Sequence, residues 1–305
     1  MTTFTLTDCS NDNQLQNFIS YAADGDKITF ACSGTITLTN TLTIKRKDQT
    51  TENLTLDGSG QSVSLDGGNK VRVLRVDGMR LILKGVTVAN GKTDESGGGL
   101  FISQSSEVTI DNCTFSGNAA RHGGGLLNDG GKVTITNSTF SGNAALGYGG
   151  GLYNNLGGTG NVIHCTFANN TANMGGGWST TYGPFYVSAS IVSHNTATVK
   201  GKNSLFKVSS LGSNLEDGTD CGFSDPVYND QQNTDPMLDP TGLQNNGGST
   251  QTIALQVGSP AIGAIPIQMC PLTDQRGYLR PAGISFCDIG AYQSPYLAPP
   301  APHSP

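Results

Sequence analysis

Five positions spaced 26 residues apart carry Ser96, His122, Tyr148, Met174 and Lys200. The residues just before them are Glu95, Arg121, Gly147, Asn173 and Val199. A fixed period of this size marks a repeat in which each coil stacks on the one before. Stacked coils lie about 4.8 Å apart, the inter-strand spacing of a sheet. Arg121, His122 and Tyr148, with Glu95, then fall within a few ångströms of one another. Such a group suits proton abstraction next to a carboxylate. Arg121 neutralises the acid, and His122 or Tyr148 takes the proton. A solvated loop edge with no shared role accounts for the same residues and is the preferred reading.

A second surface follows each glycine triplet. Leu100, Leu126, Leu152 and Trp178 align, and alternation points them inward. Phe101, Leu127 and Tyr153 then point outward as an apolar stripe. Phe101 and Tyr153, with Glu95 and Lys200, are the candidate substrate-binding residues. Burial of the stripe beneath the C-terminal segment is the plainer expectation, since exposed apolar patches are uncommon. A third column, Thr87, Thr114, Thr139 and Thr166, suggests an ice-binding face. Asp57, Asp66 and Asp77 each precede glycine and read as turn chemistry. No column clusters the carboxylates that an inverting hydrolase needs. His164 and His194 replace residues at different corners, so they do not share a metal. Asp94 and Glu95, with Asp111 or Asp129, offer oxygens of the kind Ca²⁺ takes. The GGxGxD repeat that builds such sites does not occur, and no cofactor is expected.

The elements that hold these columns are short. GGGL stands at 97–100, 123–126 and 149–152, and GGGW at 175–178. NCTFSGNAA, NSTFSGNAA and HCTFANNTA lie between them. In KVTITNSTF (132–140), Val133 and Ile135 alternate with threonines, then Asn137 turns the corner into Ser138–Phe140. No segment in these coils keeps a helical period. The pattern predicts an all-β fold, a right-handed parallel β-helix of about seven coils with three short strands in each. Asn118, Asn143, Asn170 and Asn195 form a corner ladder, and Asp57, Lys84 and Asp111 a surface column. Residues 13–23 place Leu15, Phe18, Ile19 and Ala22 on one helical face, a plug for the first coil. The expected divisions are a cap over 1–26, coils over 27–211, an irregular capping segment over 212–296 and a proline-rich tail over 297–305. A polar loop, KRKDQTTEN, covers 45–53.

Glycine supplies 42 of the 305 residues and charged residues only 13%, as many tight corners require. The net charge is −6 and no basic cluster occurs, which argues against nucleic acid. No apolar run approaches the length of a membrane span. MTTFTLTDCS has no signal-like n- or h-region; it reads either as a mature chain or as a protein that is not exported. Cys9 with Cys32 and Cys270 with Cys287 flank the two ends at spacings that suit disulfides. Cys113 and Cys165 sit two coils apart, roughly 9.6 Å, too far to bridge. Two terminal disulfides favour an oxidising, extracellular setting. Cys221 has no assigned role.

The NxTFSGNxA…GGGLYN coil resembles the polymorphic outer-membrane-protein-type repeat of bacterial surface β-helices. SLGSNLED…CGF, LQNNGGSTQTIAL, GSPAIGA and C…TDQRGYLRP…CDIGAYQ resemble the tail of bacterial choice-of-anchor β-helix proteins. Together these cover nearly the whole chain. The resemblance implies a secreted or surface-anchored bacterial β-helix and no single activity. The expected function is a monomeric module that binds a polysaccharide or cell-surface glycan, without membrane insertion. The alternative is a lyase acting on a uronate-containing polysaccharide. The third reading is an ice-binding protein.

Overall fold

The computed structural model describes residues 1–45, 53–223, 229–280 and 286–296. Most of the polar loop (46–52) and the proline-rich tail (297–305) lie outside the described residues. One coil shows how all are made. Glu107–Asp111 alternates, with Val108 and Ile110 buried. Asn112, in left-handed geometry (φ 54°), turns the corner. Thr114–Ser116 and Ala119–Ala120 follow, then the glycine triplet and Leu126–Asp129. Like strands pair in parallel from coil to coil in sheets of nine, eight, four and six strands.

These sheets give a β-solenoid of about eight coils, one more than the sequence suggested. The difference at the start comes from Thr3–Leu6, which pairs in parallel with Asp26–Phe30 as a full rung. The later coils also carry a fourth strand. It begins at Ala119–Ala120 and Ala144–Ala145, which pair directly. A two-residue strand shows no alternation, so the sequence pattern missed it.

The interior is a stack of like residues. Phe115, Phe140 and Phe167 lie face to face at 4.5 Å spacings, and Trp178 meets Phe167 edge-on at 5.0 Å. Beside them runs the asparagine ladder. Asn118 Nδ2 donates to Asn143 Oδ1 (2.9 Å), Asn143 Nδ2 to Asn170 Oδ1 (2.9 Å) and Asn170 Nδ2 to Asn195 Oδ1 (3.0 Å). Each of the four is buried. The triplets permit coils to close tightly; a Cβ on Gly124 would stand 2.3 Å from the Ala144 carbonyl oxygen.

The helix Asp12–Tyr21 plugs the first coil, with Leu15 and Ile19 buried and Asn11 accepting from the Gln14 amide. Cys9–Cys32 and Cys270–Cys287 are both disulfides, while Cys113, Cys165 and Cys221 are free and buried. Burial pushes the Cys113 and Cys165 thiols up to about 12. The Cys221 amide donates to Glu216 Oε2 (3.1 Å) in the last coil.

Residues 250–280 and 286–293 form a strap along the eight-stranded sheet. Thr250 Oγ1 donates to the Asn112 carbonyl and Asn137 Nδ2 to the Thr273 carbonyl. Gln275 Nε2 reaches Thr114 Oγ1, Thr250 Oγ1 and the Gln251 carbonyl, and Gln275 Oε1 accepts from Thr139 Oγ1. The Ala291 amide donates to Thr166 Oγ1. Thr114, Thr139 and Thr166 are therefore buried, and the column behind the ice-binding reading is not an open face.

His164 also sits under the strap, 1% exposed, with Nε2 against the Met269 carbonyl and no partner for Nδ1 among the described residues. Burial, and then the Arg280 charge, hold its imidazole down to about 3. The unfolded chain binds this proton below about pH 6.5. The folded chain does not, so stability falls as the pH drops from there towards 3. At pH 5 the loss from this one residue is about 2 kcal/mol. Asn, the residue at two equivalent corners, accepts the same geometry. His164→Asn should therefore show a smaller drop in melting temperature between pH 7 and pH 5 than the parent. Equal drops would refute the assignment.

Candidate functional site

The loop ahead of each glycine triplet is fastened to its neighbours through the backbone. The Arg121 amide donates to the Glu95 carbonyl (2.7 Å), Gly147 to Arg121 (2.8 Å) and Met174 to Gly147 (2.9 Å). Gly123 donates to the Tyr148 carbonyl (2.8 Å). The loop residues therefore hold the register that the 26-residue period implies.

His122 is fixed from two sides. Its Nδ1 accepts the Tyr148 amide at 3.1 Å. Its ring lies over Gly147, where an added Cβ would come within 2.3 Å of Cε1. The ring stacks on Tyr148, with centroids 5.1 Å apart and planes 19° from parallel. Tyr153 closes the cluster at 5.9 Å from His122 and 5.5 Å from Tyr148. The Tyr153 hydroxyl donates to Asn155 Oδ1, whose amide donates to Asp129.

The cluster borders a depression of about 560 Å³, lined also by Asp94, Arg121, Leu146 and Met174. Arg121 and Asp94 are exposed, and neither makes an ion pair among the described residues. Burial, and then the Arg121 charge, hold His122 below the usual imidazole range. A backbone N–H can only donate, so Nδ1 is the unprotonated nitrogen and the neutral ring carries its proton on Nε2. The lone pair that a base would use is already engaged. His122 is thus poorly placed to abstract a proton, and only Tyr148 stays available for that step.

The other candidates are placed differently from the sequence expectation. Glu95 turns from the group to pair with Arg72 at 3.0 Å. Lys200 is paired in register with Met174 but is exposed and does not line the depression. Tyr153 is 8% exposed, so it supports the cluster and offers no free face. Phe101 is half-buried beneath two guanidiniums, Arg75 at 4.5 Å and Arg72 at 5.3 Å. Leu127 and Tyr153 of the outward stripe are buried, and over Phe101 the cover comes from these two local side chains. The contacts of the C-terminal strap fall on the eight-stranded sheet instead. Asp94 and Leu146 were missed as lining residues. Leu146 had a signal, since AALGYGGG is one residue longer than AARHGGG. Among the described residues no three His, Cys, Asp or Glu side chains are grouped to hold a metal ion.

The sequence matches the family described as "right handed beta helix region" over residues 40–221. Among curated proteins nothing matches the chain. Its fold is similar to the crystal structure of pectate lyase Pel9A, with a TM-score of 0.44 and 14% identity over 71% of this chain. The chain spans 62% of that enzyme's length. The repeat, the parallel sheets and the family match agree: the chain belongs to the right-handed β-helix family.

Proposed function

We propose that this chain is a secreted or surface-exposed bacterial module that binds glycans at the depression beside His122 and Tyr148. The observation that carries this reading is the three-ring cluster of His122, Tyr148 and Tyr153, flanked by Leu146 and Met174. Binding sites for sugars and other small molecules combine apolar and aromatic walls with a few placed polar groups. Backbone bonds between coils hold the loop, so little ordering is needed on binding. The two disulfides fit an oxidising compartment. The GGG and NxTFSGN coils and the C-terminal strings support a bacterial surface role. On this reading residues 1–26 and 212–296 cap a coil domain over 27–211.

A lyase acting on a uronate polysaccharide is the second reading. Arg121 favours it, lining the same depression as Tyr148 and making no ion pair among the described residues. Affinity electrophoresis on soluble polysaccharides, combined with absorbance of unsaturated product, separates the two. The expected result is retardation without cleavage, weakened roughly tenfold in Tyr148→Ala, or about 1.4 kcal/mol. Retardation unchanged in that variant would overturn the site. Unsaturated product that disappears in Tyr148→Phe would establish the lyase.

A further inference from the structure

We propose that the depression is an anion subsite. It holds an acidic group of a glycan between the Arg121 guanidinium and the Nε2–H of His122. This rests on the glycan-binding reading above and names the class of glycan.

The argument begins with the orientation of the imidazole. The Tyr148 amide claims Nδ1, and the gap over Gly147 admits the Nδ1–Cε1 edge. Both constraints act on the same edge of the ring. Nε2 lies away from it and has no hydrogen-bond partner among the described residues. His122 therefore presents a donor, and it does so while uncharged. Arg121 is the neighbouring residue and presents only donors. Two adjacent donors, one of them charged, suit a ligand that only accepts. Charge-assisted bonds to such a ligand are roughly twice as strong as neutral ones.

The rim also carries an opposing charge. Asp94 lines the same depression, is exposed and makes no ion pair with Arg121. It disfavours an anion and should set affinity below what the two donors alone would give. This gives the inference a sign test, because removing the two charges must have opposite effects.

The experiment is isothermal titration of the full chain at low ionic strength. Three probes are used: a polyuronate oligosaccharide, its methyl ester and a sulfated oligosaccharide. At least one acidic probe should bind about tenfold tighter than the ester. Which one does so separates a carboxylate ligand from a sulfate. Arg121→Gln should weaken the acidic probe roughly tenfold and leave the ester unchanged. Asp94→Asn should strengthen the acidic probe about threefold. Nitrogen-15 NMR of the parent should show the Nε2–H tautomer at His122 at neutral pH. In Gly147→Ala that tautomer preference should be lost as the ring is displaced. Equal binding of acidic and esterified probes overturns the anion subsite and leaves the glycan reading standing. No binding of any probe overturns both. A proton on Nδ1 in the parent overturns the role given to His122.

Discussion

Asn143→Ala should destabilise the fold by about 3–5 kcal/mol, the largest effect expected of any single polar substitution here. Four bonds converge on this side chain. Its Oδ1 accepts from Asn118 Nδ2 and from the Asn118 amide. Its Nδ2 donates to the Phe115 carbonyl and to Asn170 Oδ1. Alanine leaves these partners buried, and each unpaired group costs on the order of 1–3 kcal/mol before relaxation. Water entry offsets part of that. Asn143→Asp is the informative companion. The carboxylate still accepts from Asn118 but cannot donate to Asn170 while ionised. It should be destabilised at neutral pH and recover partly in acid, when it regains a donor. Denaturant melts of the three proteins decide the matter. A cost below about 1 kcal/mol for Asn143→Ala would show that the ladder is already solvated.

Gln275→Leu should cost about 2–4 kcal/mol, and its effect should be local. The side chain is 2% exposed and joins the strap to two coils at once. Leucine keeps much of its volume but strands the Thr139 hydroxyl under the strap and removes one of the two bonds that hold Thr114 to it. Cys270–Cys287 lies within the strap and does not tie it to the coils. Hydrogen exchange should therefore accelerate over 250–280 and 286–293 and along Thr114–Ser116 and Thr139–Ser141. It should be unchanged at the helix Asp12–Tyr21, at the other end of the solenoid. Acceleration spread evenly over all coils would mean that the strap and the coils unfold together and would refute the local picture.

These two sites differ in how far the sequence revealed them. The ladder was legible because asparagine recurs at one offset in successive coils. The same periodicity placed Arg121, His122 and Tyr148 together and set Leu100, Leu126, Leu152 and Trp178 inward. The strap was visible only as a loss of period. Gln275 meets Thr139 across 136 residues, and no local pattern encodes that contact. The threonine column therefore looked open. Burial of the apolar stripe was foreseen, but its cover was not. Arg72 and Arg75 precede the stripe in sequence, and only their side-chain direction brings them over Phe101. The direction of a side chain at a loop edge is likewise what turns Glu95 from the candidate group towards Arg72.

The strap docks on four successive corners. Asn112, Asn137, His164 and Ala189 are equivalent left-handed corners on successive coils, and each is hydrogen-bonded to it, Asn137 twice. Solenoids grow in evolution by duplicating a coil, a change their nearest-neighbour packing tolerates well. Here the strap works as a ruler. One added or deleted coil between Asn112 and Ala189 shifts every later docking point by about 4.8 Å along the axis. The coils themselves could accept the change, yet the strap would be left a contact short or a contact long. The number of coils it spans is therefore fixed by a segment outside the repeat.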